Sequence, residues 1–266
     1  MLQAMNPIAR VGTRYRVTAV AHFHPNGEKC LAHGHPVLCV QSHKRVVLWK
    51  DTFDNLVTTA GLNALLDNTF NAAAGSVAWY VGLIGAGTGT VSITSGAAAV
   101  TGSGTTFDAT LDDSPAADII IVGAGSAGAD LVTTVSARSS NTALTTAANA
   151  SSTVSGAAFA TELVPTDTLA SHINSWSEDA NYSESVRQTW TKNAAASAGA
   201  MSNSSSKATF SINTTTRIFG AFLASNSTKS GTTGTLYGGG LFPAGSRSLQ
   251  NGDSLLVQVD PSVTAA

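Results

Sequence analysis

Residues 118–128, DIIIVGAGSAG, decide between two fold classes. Gly123, Gly125 and Gly128 match the G-x-G-x-x-G spacing that follows the first strand of a dinucleotide-binding α/β domain. In such a domain the third glycine opens a helix whose N-terminal dipole holds a pyrophosphate, and an acidic side chain about 20 residues on takes the ribose hydroxyl. Here the continuation is Ala129-Asp130-Leu131-Val132-Thr133-Thr134-Val135-Ser136, which is β-branched and alternating, and no Asp or Glu occurs between Asp130 and Glu162. No alternating series of strands and helices surrounds the stretch. It reads as a strand passing through a glycine-rich turn into another strand, and no cofactor is expected.

Outward from this hairpin, residues 87–159 are almost wholly Ser, Thr, Ala, Gly, Val and Asp, without Trp, Tyr, His or Lys. Alternating segments at Gly89–Thr94, Ala99–Gly102 and Leu131–Ser136 lie close together with glycine turns between them. The spacing predicts a small β-sandwich or barrel inserted into a larger domain. That larger domain is discontinuous, 1–86 plus 160–266, and contains all the tryptophans and tyrosines. Its expected strands are Arg14–Phe23, Arg45–Phe53, Val77–Ile84, Ser185–Thr191, Lys207–Ile212, Arg217–Ala224, Gly234–Phe242 and Ser254–Val259. Val77–Ile84 (VAWYVGLI) is the most apolar and is expected to be central. One helix is expected over Thr59–Phe70, capped by Thr58 or Thr59, with Leu62, Leu65, Leu66 and Phe70 forming the face that packs on the sheet. The fold class is therefore all-β: a sandwich with one short helix and an inserted small β-module.

Composition agrees. Only 11% of the 266 residues are charged, while 43% are hydrophobic. Typical globular chains carry about 25% charged residues, many of them on the long Glu- and Lys-rich helix faces of α/β enzymes. The net charge of -2 conceals a basic start. Arg10, Arg14, Arg16, Lys29, Lys44, Arg45 and Lys50 are opposed over the first fifty residues only by Glu28. The lack of a dense cationic run favours an acidic protein surface over nucleic acid as the partner of this segment. No run approaches the roughly 18 apolar residues of a membrane span, and Met1–Val20 has no signal-peptide core, so synthesis in a cytoplasm is expected. Cys30 and Cys39 are expected to be free thiols there.

Candidate chemistry is sparse. Five of the six histidines fall between His22 and His43, and the His-x-His pairs His22/His24 and His33/His35 place two imidazoles on one side of a strand, where they could chelate an ion. No recognised zinc spacing accompanies these four candidates, and a polar surface excursion is the preferred reading. No Gly-x-Ser-x-Gly elbow is present. The acidic pairs Asp112/Asp113 and Glu178/Asp179 are adjacent and read as solvated turn residues. No catalytic residue is expected.

Several segments, in this order along the chain, resemble those of tailed-bacteriophage capsid decoration, or cement, proteins. They are Asp54–Asn63 (DNLVTTAGLN), Trp79–Ile84 (WYVGLI), Asp167–His172 (DTLASH), Tyr182–Glu184 (YSE), Gly220–Leu223 (GAFL) and Lys229–Tyr237 (KSGTTGTLY). Together with their spacing they span about half of the chain. The inserted module resembles small β-domains of phage tail and fibre proteins through Gly89–Ser92, Val100–Phe107 and Ser155–Ala158. The family pattern has a short turn in place of the His-rich segment and a short loop in place of the module.

The resemblance implies a jelly-roll β-sandwich that sits on the outer capsid surface and bridges capsomers. The implied partners are the major capsid protein and further copies of the chain, as a dimer or trimer. Arg10, Arg14 and Arg16 are the expected lattice contacts. The alternative is a tail-fibre or host-adhesion component whose module binds a surface glycan or protein.

Overall fold

The computed structural model describes residues 10–23, 44–54, 56–70, 78–113, 116–173, 176–193 and 200–264. The chain opens with β1 (Arg10–Phe23), β2 (Lys44–Asp54), β3 (Leu56–Val57), α1 (Thr59–Phe70) and β4 (Tyr80–Gly85). The next strands are β5 (Thr90–Ile93), β6 (Ala99–Ser103), β7 (Asp118–Ile121), β8 (Leu131–Ser140), β9 (Ala143–Thr146), β10 (Val154–Ala157) and β11 (Phe159–Thr161). Then come β12 (Ser177–Asp179), β13 (Gln188–Thr189), β14 (Ala208–Ser211) and β15 (Thr216–Ile218). The last are β16 (Gly220–Ala224), β17 (Leu236–Leu241), β18 (Arg247–Leu249) and β19 (Ser254–Thr264). The fold is an all-β sandwich with a single α-helix among the described residues, as the composition and the 118–136 hairpin indicated.

Three sheets stack in order. A four-stranded sheet, β14-β19-β1-β2, faces a central sheet, β12-β4-β16-β17-β3, to whose β4 the short β13 also pairs. Between them lie Tyr15, Val17 and Ala19 of β1, Leu255, Val257 and Val259 of β19, and Val81, Leu83, Ala221 and Leu223 of the central strands. Tyr15 stacks on Phe53 at 5.1 Å between ring centroids, and its hydroxyl donates to the Gly238 carbonyl. The alternate residues Ile84, Phe222, Ala224 and Leu236 point the other way, into a second cluster with Ile120, Ala160, Leu163, Leu169 and Trp176. Successive side chains of a strand alternate faces, so a strand covered on both sides reads as a continuous apolar run. This accounts for Tyr80–Gly85 and Gly220–Ala224, and β4 is interior in its sheet as expected.

The cover on that second face comes from a seven-stranded antiparallel sheet, β10-β5-β6-β9-β8-β7-β11. Its opposite edges, β10 and β11, are separated in sequence by Ala158 alone, so the sheet must curl until its edges meet. The curl encloses Val91, Val100, Phe107, Ile119, Ile121, Val135, Leu144 and Phe159. The triple isoleucine of β7 follows from this arrangement: Ile119 and Ile121 fill the curled sheet while Ile120 packs onto the central one.

Two expectations about burial need correction. In α1, Thr58 is the cap, its hydroxyl accepting the Gly61 N–H. The Leu62 and Leu66 side chains, however, are 37% and 52% exposed. Contact with the sheet is made through Gly61, where an added Cβ would lie 2.3 Å from the Tyr237 carbonyl oxygen. A glycine allows backbone to meet backbone, and that approach rotates the leucine stripe away from the sheet. Glu178 and Asp179 are also buried rather than solvated, at 9% and 7% exposure. Glu178 is paired with Arg187, and the Asp179 carboxylate accepts hydrogen bonds from the backbone and side-chain amides of Asn181.

Candidate functional site

Alternation along β1 sends Thr13, Tyr15, Val17 and Ala19 inward and Arg14, Arg16 and Thr18 to the outer face of the four-stranded sheet. Cross-strand register then sets rows on that face. Arg14 lies between Asp54 and Asp260, Arg16 between Thr52 and Gln258, and Thr18 between Lys50 and Leu256. A bulge between Ala19 and Val20, with Leu48 as the extra residue on β2, brings Val47 opposite Val20. The face thus carries Arg14, Arg16, Lys50 and Arg45, with Lys207 at the start of β14.

The two ends of this face differ in electrostatics. Arg14 holds Asp54 in a bidentate pair, with Nε–Oδ1 at 2.8 Å and Nη2–Oδ2 at 3.2 Å. The guanidinium keeps the Asp54 carboxyl below its ordinary value. Arg16 pairs with Asp260. At the other end, Arg45, Lys50 and Lys207 form no ion pair with any acid among the described residues. They border a shallow groove of about 660 Å³ whose floor is Thr18, Val20 and Leu256 and whose far wall is the turn Ser204–Ser206. Val47, 50% exposed, adds to its apolar lining.

Of the expected contact residues, Arg14 and Arg16 share this face. Arg10 lies on β1 opposite Thr264, and its side chain is outside the described residues, as is that of His22 on the same strand. His24, His33 and His35 lie outside the described residues altogether. Among the described residues no group of three or more His, Cys, Asp or Glu could hold a metal ion, and no helix is long and apolar enough to cross a membrane. The three cations of the groove were visible in the basic first fifty residues and in Lys207. Their common location was not, because the bulge at Leu48 shifts the alternation of β2 by one residue.

Residues 118–128 form a hairpin: β7 pairs antiparallel with β8. Gly123 and Gly128 have φ of 75° and 78°, in the left-handed region that glycine enters without strain. A Cβ on Gly125 would lie 2.5 Å from the Asp130 carbonyl oxygen. The turn closes on itself through the Gly125 N–H to the Ala129 carbonyl, 2.7 Å. Asp130 then fastens it to the main sandwich, accepting the Gly123 N–H at 3.2 Å and the Ser246 N–H at 2.7 Å.

A second cleft, of about 420 Å³, opens where the curled sheet meets the sandwich and is lined by Arg14, Asp54, Asp118, Glu162, Leu241 and Pro243. Asp118 and Glu162 extend the β7–β11 ladder by one pair, which sets like charges opposite each other. Burial, with a contribution from Asp118, pushes the Glu162 carboxyl up to about 7, and burial raises Asp118 as well.

No family model, curated protein or solved structure matches the chain.

Proposed function

We propose that this chain is a structural virion protein of the capsid decoration type, which lies on the outer surface of a phage head through its four-stranded sheet and bridges neighbouring capsomers. The observation that carries the reading is the outer face of that sheet, an open sheet face bearing five cations, Arg14, Arg16, Arg45, Lys50 and Lys207, against two acids, Asp54 and Asp260. The central sheet is covered on both sides, and the curled module has Arg138 as its sole base between residues 87 and 159. The segments that resemble decoration proteins supply the choice of a capsid as the acidic surface. The layer order supports an outward-facing module, since the curled sheet packs on the side of the central sheet opposite the four-stranded sheet and approaches the cationic face only at the cleft beside Arg14. Contacts repeated over a closed shell gain by effective concentration, so each can be modest. The expected partners are the major capsid protein and other copies of the chain.

Labelling the protein on intact virions tests this reading. Many copies distributed over the head are expected. A few copies confined to the tail would replace it with the host-adhesion reading, in which the module makes the contact.

A further inference from the structure

We infer that the groove across the four-stranded sheet seats an extended acidic segment of a protein partner, with carboxylates near both ends and an apolar side chain between them facing the floor. The inference rests on the reading of this face as the contact face, and it names the chemistry that face takes.

The groove runs across the strands. Lys50, Thr18, Leu256 and Thr209 are successive partners in one row, from β2 through β1 and β19 to β14. Adjacent strands lie about 4.8 Å apart, so the row is about 14 Å long. An extended chain covers that distance in about four residues. Cations stand at both ends, Lys50 and Arg45 on β2 and Lys207 beside β14, with the apolar side chains of Val20, Val47 and Leu256 at or beside the floor. The complementary ligand has an acid, about three residues of which the middle, apolar one faces the floor, then a second acid.

Two observations select this occupant. Arg14 and Arg16, on the same face, are matched by Asp54 and Asp260, whereas the groove cations have no acidic partner among the described residues. A like-signed, unmatched set beside an apolar floor favours an incoming anion with apolar side chains of its own. An acidic polysaccharide satisfies the charge but not the floor. Sugar recognition relies on ring faces, and the nearest indole, Trp49, is turned inward against Phe242 at 5.6 Å.

The test uses the full chain and fluorescent peptides followed by anisotropy at low ionic strength. The peptide Glu-Thr-Val-Thr-Glu, flanked by Gly-Ser, which turns both acids and the central valine to one face, is compared with its Gln-Thr-Val-Thr-Gln counterpart and with a sulfated oligosaccharide. The acidic peptide should bind, the Gln peptide should bind at least tenfold more weakly, and Lys50→Glu or Lys207→Glu should each weaken the acidic peptide by tenfold or more. Thermal denaturation of both variants confirms their fold. Equal binding of the two peptides, no loss in the folded variants, or binding of the oligosaccharide alone overturns the inference. Peptide binding by a protein that imaging places at the tail would keep the groove and remove the head location. Failure to bind by a protein imaged over the head would do the reverse.

Discussion

Arg187 and Glu178 form an ion pair in which both side chains are essentially inaccessible, at 0% and 1% exposure, with Nη2–Oε2 at 2.7 Å. Nε also donates to the Glu178 carboxylate, and two further guanidinium hydrogens are used: Nη1 donates to the Asn226 carbonyl and Nη2 to the Gly231 carbonyl. The Glu178 carboxylate accepts the Ser230 N–H at 2.8 Å, and the guanidinium stands 5.2 Å from the Phe222 ring centroid. The pair ties β12 to the 225–234 loop.

Removing one member leaves the other charge buried without a partner, which costs about 3–5 kcal/mol. Arg187→Ala is therefore expected to lower the stability of the sandwich by that amount in urea denaturation. A change below 1 kcal/mol would show that water reaches Glu178.

Stability should fall as pH rises from about 4.5 to about 7. The folded chain keeps a proton on Glu162 up to about 7, while an unfolded glutamate releases it near 4.5. Within that window the folded state binds more protons than the unfolded state, so raising pH favours unfolding; above it both are ionised and the effect levels off. Asp167, raised by burial to about 6, adds a contribution of the same sign at the lower end. Denaturation midpoints at pH 5 and pH 8 at constant ionic strength measure the difference, and Glu162→Gln should reduce it. A variant as pH-dependent as the parent chain would assign the effect elsewhere.

In an exposed helix, replacing glycine by alanine stabilises by about 1 kcal/mol. Gly61→Ala should do the opposite, because its methyl would meet the Tyr237 backbone. The expected loss is about 1–3 kcal/mol, the usual cost of overpacking. A higher melting temperature would mean that α1 shifts freely on the sheet.

Asp130→Ala removes the acceptor shared by Gly123 and Ser246. Stranding donors that are partly buried costs about 1–3 kcal/mol. The Gly123 and Ser246 amides should exchange hydrogen faster, while those of β16 and β17 stay protected. Uniform acceleration across the chain would indicate that the module and the sandwich open together.

Two kinds of element announced themselves in the sequence: strands with one face in water, and the continuous apolar run of β4, which is covered on both faces. Along β1 the two-residue spacing of Arg14 and Arg16 puts both on one side of the strand, and the β-branched run after Gly128 identified the hairpin. The 217–224 segment hid a break, since Phe219 separates β15 from β16. What stayed illegible depends on partners distant in sequence. Nothing near Glu178 signals that Arg187 will fold over it, and the solvated-turn reading failed for that reason. The face that α1 buries was decided by Tyr237, far along the chain, and not by the leucine spacing. The groove depended on a one-residue bulge. Its cations could be counted, but their alignment could not.

The chain entering the curled sheet after β4 is held to the first residue of its last strand, β11, by the Gly87 N–H donating to the Phe159 carbonyl at 2.7 Å. With its ends already adjacent, the segment between them can change length or be exchanged with little added closure entropy in the host sandwich. Its underside sets the opposite condition, because Ile120 and Ala160 shield Phe222 and Ile84 from water. Any replacement grafted at these ends must therefore bring its own apolar sole, and a graft without one would leave the second face of the central sheet as a sticky surface.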